Sequence, residues 1–198
     1  SLGNNVLVRP TYLSICNADM RYYQGARSAD VLAKKLPMAL IHEAVGVVVR
    51  DPTGMFSRGD RVTLVPNMPC ESDDCIAENY LRSSKFCGSG YDGFMQEYVS
   101  IPAERVVALP AAIRDEVAAF TELVSVAAHA VDRFDSISHS RKERIGVWGD
   151  GNLGFIVALL LKTHYPNSKV CVFGRNDYKL NDFTFVDETR LTCDAPEE

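Results

Sequence analysis

The sequence predicts an α/β protein in which an all-β N-terminal part precedes the first portion of a doubly wound parallel sheet. Between residues 5 and 110, short runs rich in β-branched residues alternate with Gly, Pro and Asp turns. After Pro110 the spacing becomes helical, and residues 145–176 read as strand, glycine-rich turn, helix and strand. That last pattern is one βαβ unit, the building block of a parallel sheet.

Composition and charge exclude several classes of function. The 198 residues are 46% hydrophobic and 24% charged, with a formal net charge of −5 and a pI of about 5.4. Because there is no basic stripe, there is no electrostatic case for binding nucleic acid or an anionic membrane. The apolar run FIVALLLK is too short to span a bilayer, and the start of the chain carries no secretion signal. We therefore expect a cytoplasmic protein without membrane insertion.

The N-terminal strands follow one another at short intervals and are interrupted by one long excursion. The predicted strands are NVLVRPTYLSI, AVGVVVRD, DRVTLVP, FMQEYVSI and RVVALP. Residues 67–92 lack periodicity and are rich in Ser, Asp, Cys and Gly, so they predict an irregular lobe. The run RDEVAAFTELVSVAAHAVDRF beyond Pro110 predicts a helix.

Polar residues in apolar surroundings mark a candidate metal site in the N-terminal part. His42 and Glu43 lie side by side in MALIHEAVGVVV, and an ionised carboxylate buried there would need a cation. These twelve residues alone favour a strand that begins at Ala44 after an exposed turn. Cys16 and Glu122 add the other ligand types of a catalytic zinc, but their spacing alone does not decide between metal ligands and ordinary core residues.

The glycine-rich turn GDGNLG carries the spacing of a dinucleotide-binding site. Gly149 permits the tight turn, Gly151 lets the backbone approach a pyrophosphate, and Gly154 lets helix and strand pack closely. The helix begins at Asn152 and Leu153, where free N–H groups and the positive end of the helix dipole favour phosphate. The alternative is a glycine-rich turn that binds no ligand.

The end of the second strand predicts which nicotinamide cofactor binds. A protein selective for NAD usually places an acidic residue about 20 residues after the glycines, on the ribose 2′-hydroxyl. Here that position is Gly174, followed by Arg175, which can pair with a 2′-phosphate, with Lys179 near by. This arrangement favours NADP(H); the alternative is that Arg175 is a solvated turn residue and Asp177 meets the ribose.

Motifs along nearly the whole chain resemble those of the zinc-dependent medium-chain dehydrogenases, the alcohol and sorbitol dehydrogenase superfamily. In chain order they are SICNAD, DMRYYQG, IHEAVGVVV, RGDRV, DGFMQEYV, TELVSVAAHA and GDGNLG. DMRYYQG and TELVSV are most similar to its polyol branch. Within that branch, LPMALIHE, IAENYLRSSKF, GSGYDGFMQEYV and VWGDGNLGFI resemble the bacterial ribulose-5-phosphate reductases.

The resemblance implies a domain organisation and a set of zinc ligands. Residues 1–133 would form a GroES-like β-barrel catalytic domain, and residues 134–198 would form the N-terminal part of a Rossmann domain. Zinc would be held by Cys16, His42 and Glu122, with Glu43 as an alternate ligand. Asp19 would hold the far nitrogen of His42 in place.

The resemblance also implies an activity and partners. The expected reaction is NADPH-dependent reduction of D-ribulose 5-phosphate to D-ribitol 5-phosphate, which supplies CDP-ribitol for teichoic acid or capsule. The expected partners are the sugar phosphate, a cytidylyltransferase of the same pathway and a second copy in a homodimer. Two alternatives stay open: a sorbitol-type polyol dehydrogenase, and a metal-free nucleotide-binding protein on the same fold. Arg21, beside Tyr22 and Tyr23, is a candidate for binding the substrate phosphate.

Three features depart from the superfamily pattern. Ala18 replaces the hydroxyl residue that relays a proton two positions after the zinc cysteine, and Ile41 replaces the glycine that commonly precedes the histidine. The lobe has three cysteines, Cys70, Cys75 and Cys87, where the superfamily has four; Asp73 or Asp74 would be needed to complete a second zinc site, and free thiols are the alternative.

One βαβ unit is too little to complete a doubly wound sheet. We therefore interpret the chain as a fragment of a longer protein. Because residues that would cover the sheet and close a catalytic cleft are missing, residues 1–198 alone are expected to self-associate and to have no measurable reductase activity.

Overall fold

The computed structural model describes residues 3–192, and backbone contacts divide the chain into two compact units, Ser1–Glu122 and Leu123–Glu198. This division falls in the first turn of a helix, Thr121–Ile137, and the predicted boundary after residue 133 falls inside the same helix. The boundary at 133 stays a prediction. No helix in the described part of the chain is both long enough and apolar enough to cross a bilayer.

The N-terminal unit is built on β-strands, which are β1 (Asn5–Ser14), β2 (Glu43–Arg50), β3 (Arg61–Leu64), β4 (Asn67–Met68), β5 (Lys85–Phe86), β6 (Val99–Pro102) and β7 (Val106–Ala108). Five of them form an antiparallel sheet with the strand order β6-β1-β2-β3-β7. The other two, β4 and β5, form a small separate ribbon in the lobe. The sheet buries one apolar cluster, whose members include Val6, Val8, Val48, Val62, Leu64, Phe94 and Ile101.

The expectation that residues 5–110 are all-β is wrong between β1 and β2. Two short helices, α1 (Asn17–Tyr23) and α2 (Ala29–Lys35), occupy this stretch. The start of α1 is fixed locally because the Asp19 carboxylate accepts a hydrogen bond from the Cys16 N–H at 3.0 Å. Cys16 is thus the N-cap of a helix, two residues after the end of β1.

The predicted helix after Pro110 is present but interrupted. It consists of α3 (Asp115–Ala118) and α4 (Thr121–Ile137). Ala118 and Ala119 pack with Val45 of β2 in a small buried cluster of the N-terminal unit. This packing places Glu122, in the first turn of α4, on the N-terminal unit.

The second unit contains the predicted βαβ pattern. Its elements are β8 (Arg144–Trp148), α5 (Asn152–His164), β9 (Lys169–Gly174), α6 (Asp177–Leu180) and β10 (Glu188–Leu191). The strands form a parallel sheet with the order β10-β9-β8. A continuous apolar cluster, which includes Val147, Ala158, Leu161 and Val172, joins α5 to the sheet.

Candidate functional site

Three ligand types for a metal converge where β1 and β2 meet. Strand pairing sets Ser14 opposite Glu43, so Cys16, two residues beyond Ser14, is brought close to His42. One ligand atom each from Cys16, His42 and Glu43 lies within 4.8 Å of the others. This is the only such group of three or more His, Cys, Asp or Glu side chains in the described residues 3–192.

His42 and Glu43 are buried, so the expectation of an exposed turn before Ala44 is wrong. Their exposed fractions are 7% and 1%, because β2 begins at Glu43 and the β1–β2 ladder extends to it. The Glu43 Oε1 atom lies 3.8 Å from His42 Nε2, and its Oε2 atom is buried and has no hydrogen-bond partner among residues 3–192. A buried carboxylate oxygen without a donor is a position suited to a cation.

The Asp19 carboxylate holds this group of residues together. Its Oδ2 atom accepts from the Cys16 N–H and its Oδ1 atom from the Ile41 N–H, both at 3.0 Å. Oδ1 also lies 3.6 Å from His42 Nδ1, which leaves Nε2 directed toward Glu43. A carboxylate on the far nitrogen of a ligating histidine fixes its orientation and tautomer.

Ile41 explains why a glycine is common before this histidine. Its φ is 72°, in the left-handed region that β-branched residues rarely adopt and that costs on the order of 1–3 kcal/mol. Ile41 is held there by the bond to Asp19 and by its carbonyl, which accepts from the Phe94 N–H at 2.6 Å. Its side chain is buried, and this burial offsets part of the strain.

The electrostatics of the site favour a cation. Burial raises the pKa of the Cys16 thiol, and the carboxylates of Glu43, Asp19 and Glu122 raise it further. Burial by itself lowers the pKa of His42, but hydrogen bonding to Asp19 and the charges of Asp19, Glu122 and Glu43 outweigh it and raise that pKa. Several anionic groups therefore surround a single imidazole, and a divalent ion would relieve their mutual repulsion.

Glu122 lies within electrostatic reach of this group but outside its tightest part. It is half-buried, and its pKa is raised. Burial is the main cause; the His42 charge opposes it, and the charges of Glu43 and Asp19 add to it. The atoms within 4.8 Å of one another belong to Cys16, His42 and Glu43, so the structure places Glu43, the predicted alternate ligand, as the nearest third group. The ligand set with Glu122 stays a prediction.

The three cysteines of the lobe do not form a second metal group within the described residues. Cys70 and Cys75 are exposed and Cys87 is partly buried. Asp73, a candidate fourth ligand, instead accepts backbone hydrogen bonds from Cys75 and Ile76 at 2.8 Å. The choice between a second zinc and free thiols in this lobe stays a prediction.

The glycine turn has the geometry that its spacing predicts. Gly149 has a φ of 146°, and its N–H donates to the Phe173 carbonyl at 2.8 Å, which ties the turn to β9. A Cβ at Gly154 would collide with the Gly149 carbonyl, whereas no heavy atom lies within 4 Å of a Cβ position at Gly151. The first turn of α5, with Asn152 and Leu153, is exposed beside this open space.

Asp150, which the sequence analysis did not single out, connects the two turns at this edge of the sheet. Its Oδ2 atom accepts from the backbone N–H groups of Arg175 and Asn176 at 2.8 Å and from Asn176 Nδ2 at 2.9 Å. A Cβ at Gly174 would lie 2.6 Å from Asp150 Cβ. No side chain fits at Gly174 while Asp150 stays in place, which accounts for the missing acidic residue. The sequence feature that points to this role is an acidic residue between the first two glycines of GDGNLG.

The charged residues after β9 lie where the sequence predicts. Arg175 is exposed directly beyond the strand, Asp177 is exposed at the start of α6, and Lys179 is partly buried in α6. The Asp150 bonds fix the backbone of Arg175 and leave its guanidinium in solvent. The part of each in cofactor binding stays a prediction.

Comparison with known proteins identifies the family. Residues 3–111, more than half of the chain, match the alcohol dehydrogenase GroES-like domain. The chain belongs to this family. The predicted relationship to the alcohol dehydrogenase superfamily is therefore confirmed, as is the fold class of a GroES-like domain followed by part of a Rossmann-type sheet.

Similar proteins extend this result over nearly the whole chain. The chain is 56% identical over 196 residues to the ribulose-5-phosphate reductase of Bacillus spizizenii, and 54% identical over 192 residues to ribulose-5-phosphate reductase 1 of Staphylococcus aureus. It covers 58% and 56% of those proteins, with 99% and 97% of its own length aligned. The crystal structure of S. aureus TarJ in complex with NADPH has a TM-score of 0.78 at 45% identity, and covers 98% of this chain and 54% of that one.

We predict that Asp19→Ala destabilises the N-terminal unit by about 2–4 kcal/mol, because two buried N–H groups lose a charged acceptor. Urea denaturation measures the free energy of unfolding. Asp30→Ala, at an exposed acidic position of α2, serves as the control and is expected to change it by less than about 0.5 kcal/mol. Equal stability of the two variants would contradict the role assigned to Asp19.

Proposed function

We propose that the protein containing this chain reduces D-ribulose 5-phosphate to D-ribitol 5-phosphate with NADPH and a catalytic zinc. The observation that carries the proposal is the buried group of Cys16, His42 and Glu43, which offers thiolate, imidazole and carboxylate to one ion. The names of the relatives, ribulose-5-phosphate reductases at 54–56% identity, support the substrate. The chain spans only 56–58% of their length, so the activity is proposed for the whole protein.

The residues present suit zinc. Zn²⁺ is a borderline-soft ion that prefers thiolate and imidazole ligands such as Cys16 and His42, and a carboxylate from Glu43 or Glu122 would complete a site with three protein ligands and one open position. The orphaned Glu43 Oε2 atom is the structural observation behind this fit. When bound there, zinc supplies a Lewis acid for the C2 carbonyl oxygen of the substrate.

The chain's own residues set the geometry and limit the route of the proton. Asp19 holds the backbone of Cys16 and fixes the ring of His42, so the ligands are arranged before the substrate arrives. Ala18 has no hydroxyl group, so we assign the proton that completes the reduction to water or to a substrate hydroxyl. Hydride comes from the nicotinamide of NADPH.

The cofactor is assigned to the glycine turn. Gly149, Gly151 and Gly154, with Asn152 and Leu153 at the start of α5, would hold the diphosphate. Arg175 would meet the 2′-phosphate, a choice supported by the NADPH in the similar TarJ structure and by the absence of room for an acidic side chain at Gly174. The homodimer, the cytidylyltransferase partner, the CDP-ribitol pathway and the cytoplasmic location stay predictions.

We predict one tightly bound zinc per chain in the full-length protein, and its loss in Cys16→Ser. Elemental analysis of protein purified without chelators measures the ratio. Because the pKa of the Cys16 thiol is raised and zinc needs the thiolate, the affinity of the metal-stripped protein for zinc should increase with pH. Cys75→Ser, at an exposed cysteine of the lobe, should keep the metal; wild-type protein without zinc would refute this site and favour a metal-free nucleotide-binding protein.

Arg175→Ala is predicted to lower kcat/KM for NADPH at least tenfold and to change it little for NADH. A charge-assisted Arg–phosphate contact contributes about 1.5–3 kcal/mol, and only NADPH carries the 2′-phosphate. Steady-state kinetics with both cofactors provide the measurement, with exposed Arg141→Ala as the matched control. Equal kcat/KM for the two cofactors in the wild type would count against the assignment.

Substrate preference separates the proposed reductase from a sorbitol-type polyol dehydrogenase. The full-length enzyme is expected to reduce ribulose 5-phosphate with a kcat/KM at least a hundredfold above that for fructose, since a site built for a charged group strongly rejects ligands that lack it. Initial rates of NADPH oxidation with each ketose give the two kcat/KM values and distinguish the two activities. Preference for fructose would assign the protein to the polyol dehydrogenases instead.

A further inference from the structure

Two cations and two hydroxyl groups cluster around the ring of Tyr22 in the N-terminal unit. The Arg27 guanidinium carbon lies 4.9 Å and the Lys35 ammonium nitrogen 5.8 Å from the centroid of this ring. Lys35 Nζ donates to Ser89 Oγ at 3.0 Å, and the Tyr22 hydroxyl lies 3.5 Å from the same oxygen. We call these four residues the Tyr22 cluster.

Among the described residues, no acidic side chain pairs with the two cations of the Tyr22 cluster. The Arg27 Nε atom is buried and has no hydrogen-bond partner within residues 3–192. A buried donor on a charged group without an acceptor is unfavourable, so an anion that accepts hydrogen bonds from it would stabilise the cluster.

The positive potential also acts on the tyrosine. Tyr22 is only 5% exposed, and burial by itself would raise its pKa. The hydrogen bond with Ser89 and the interactions with Lys35 and Arg27 outweigh burial and lower this pKa below its usual value. The environment therefore favours negative charge.

Two segments of chain place the Tyr22 cluster beside the candidate metal centre. Helix α1 begins after Cys16 and reaches Tyr22 six residues later, about 9 Å along its axis. From the other side, Gly88, which precedes Ser89, packs so closely on Ile41 that a Cβ there would lie 3.2 Å from the Ile41 carbonyl carbon. Ile41 directly precedes the ligand candidate His42.

We propose that Arg27, Lys35, Ser89 and the Tyr22 hydroxyl bind the phosphate group of the sugar phosphate substrate. The inference rests on the proposed function and names the phosphate subsite of that same site. The guanidinium offers fork-shaped donors to phosphate oxygens, Lys35 keeps donors beyond its bond to Ser89, and both hydroxyl groups can donate.

This assignment replaces the candidate suggested by the sequence. Arg21, on the same helix, is exposed, and no hydrogen bond or ion pair of its side chain occurs among the described residues. Arg27 and Lys35 lie farther along the chain, outside the motif that drew attention to Arg21. Their convergence is visible only in the fold, because Ser89 comes from the distant lobe.

The kinetic test uses the full-length enzyme with ribulose 5-phosphate and with unphosphorylated ribulose. Arg27→Gln and Lys35→Gln are each expected to lower the ratio of kcat/KM for the two substrates about tenfold or more, mainly through the KM for ribulose 5-phosphate. Arg27→Lys, which keeps the charge, should restore part of the ratio. Lys34→Gln, at the exposed neighbouring position of α2, and Arg21→Gln are the matched controls and should leave the ratio unchanged.

Calorimetric binding of ribitol 5-phosphate and of inorganic phosphate tests the subsite without turnover. Both Gln variants should bind ribitol 5-phosphate about tenfold more weakly than the wild type, with circular dichroism confirming that they are folded. Wild-type affinity in both variants, or weaker binding in Arg21→Gln instead, would overturn the proposal. The cluster would then have only a structural role, in which Lys35 of α2 bonds to Ser89 of the lobe. If the wild type does not reduce ribulose 5-phosphate, the proposed function fails. Whether the cluster binds phosphate is then still tested by comparing the affinity of the wild type and the two Gln variants for inorganic phosphate.

Discussion

The carboxylate of Asp19 is the interaction on which the candidate site depends. It joins two parts of the chain that are far apart in sequence: the N-cap of α1 at Cys16, and the pair Ile41 and His42, which it contacts through the Ile41 N–H and the His42 ring. Hydrogen bonds from these groups outweigh burial and hold the pKa of Asp19 below its usual range, so the group stays charged at neutral pH. A charged, buried acceptor of this kind rigidifies the ligands before a metal or a substrate binds. The same carboxylate starts α1, the helix that leads from Cys16 to Tyr22.

The site is costly to build without a cation. Ile41 occupies the left-handed region of backbone conformation, and Glu43 buries a carboxylate oxygen to which no group in the described part of the chain donates. The surrounding sheet offsets these unfavourable energies, because β1 and β2 pair along most of their length and the Phe94 N–H donates to the Ile41 carbonyl. Strained or unpaired groups that the surrounding structure holds in place are found mostly at functional sites. A divalent ion would convert the repulsion among the acidic groups into coordination.

Much of the fold could be predicted from the sequence because local patterns specify it. The βαβ unit follows from strand periodicity and from the glycine spacing, and the N-terminal strands follow from β-branched runs between turn residues. The helices α1 and α2 were missed because each has only seven residues, too few to show periodicity. The burial of His42 and Glu43 could not be read from MALIHEAVGVVV, since it depends on pairing with β1. Asp150 and Arg27 were missed for the same reason: their partners, Asn176 and Tyr22, are identified by tertiary contact, and neither lies in a motif with them.

We propose that Asp19 arranges Cys16, His42 and a carboxylate around one zinc ion. X-ray absorption at the zinc edge of the full-length protein tests this arrangement most directly, because it reports the type and distance of each ligand. We expect one sulfur at about 2.3 Å and the remaining nitrogen and oxygen ligands at about 2.0–2.2 Å, with the sulfur lost in Cys16→Ser. A zinc ion coordinated by several sulfur atoms, which would place it among the cysteines of the lobe, or one without any sulfur ligand would contradict it.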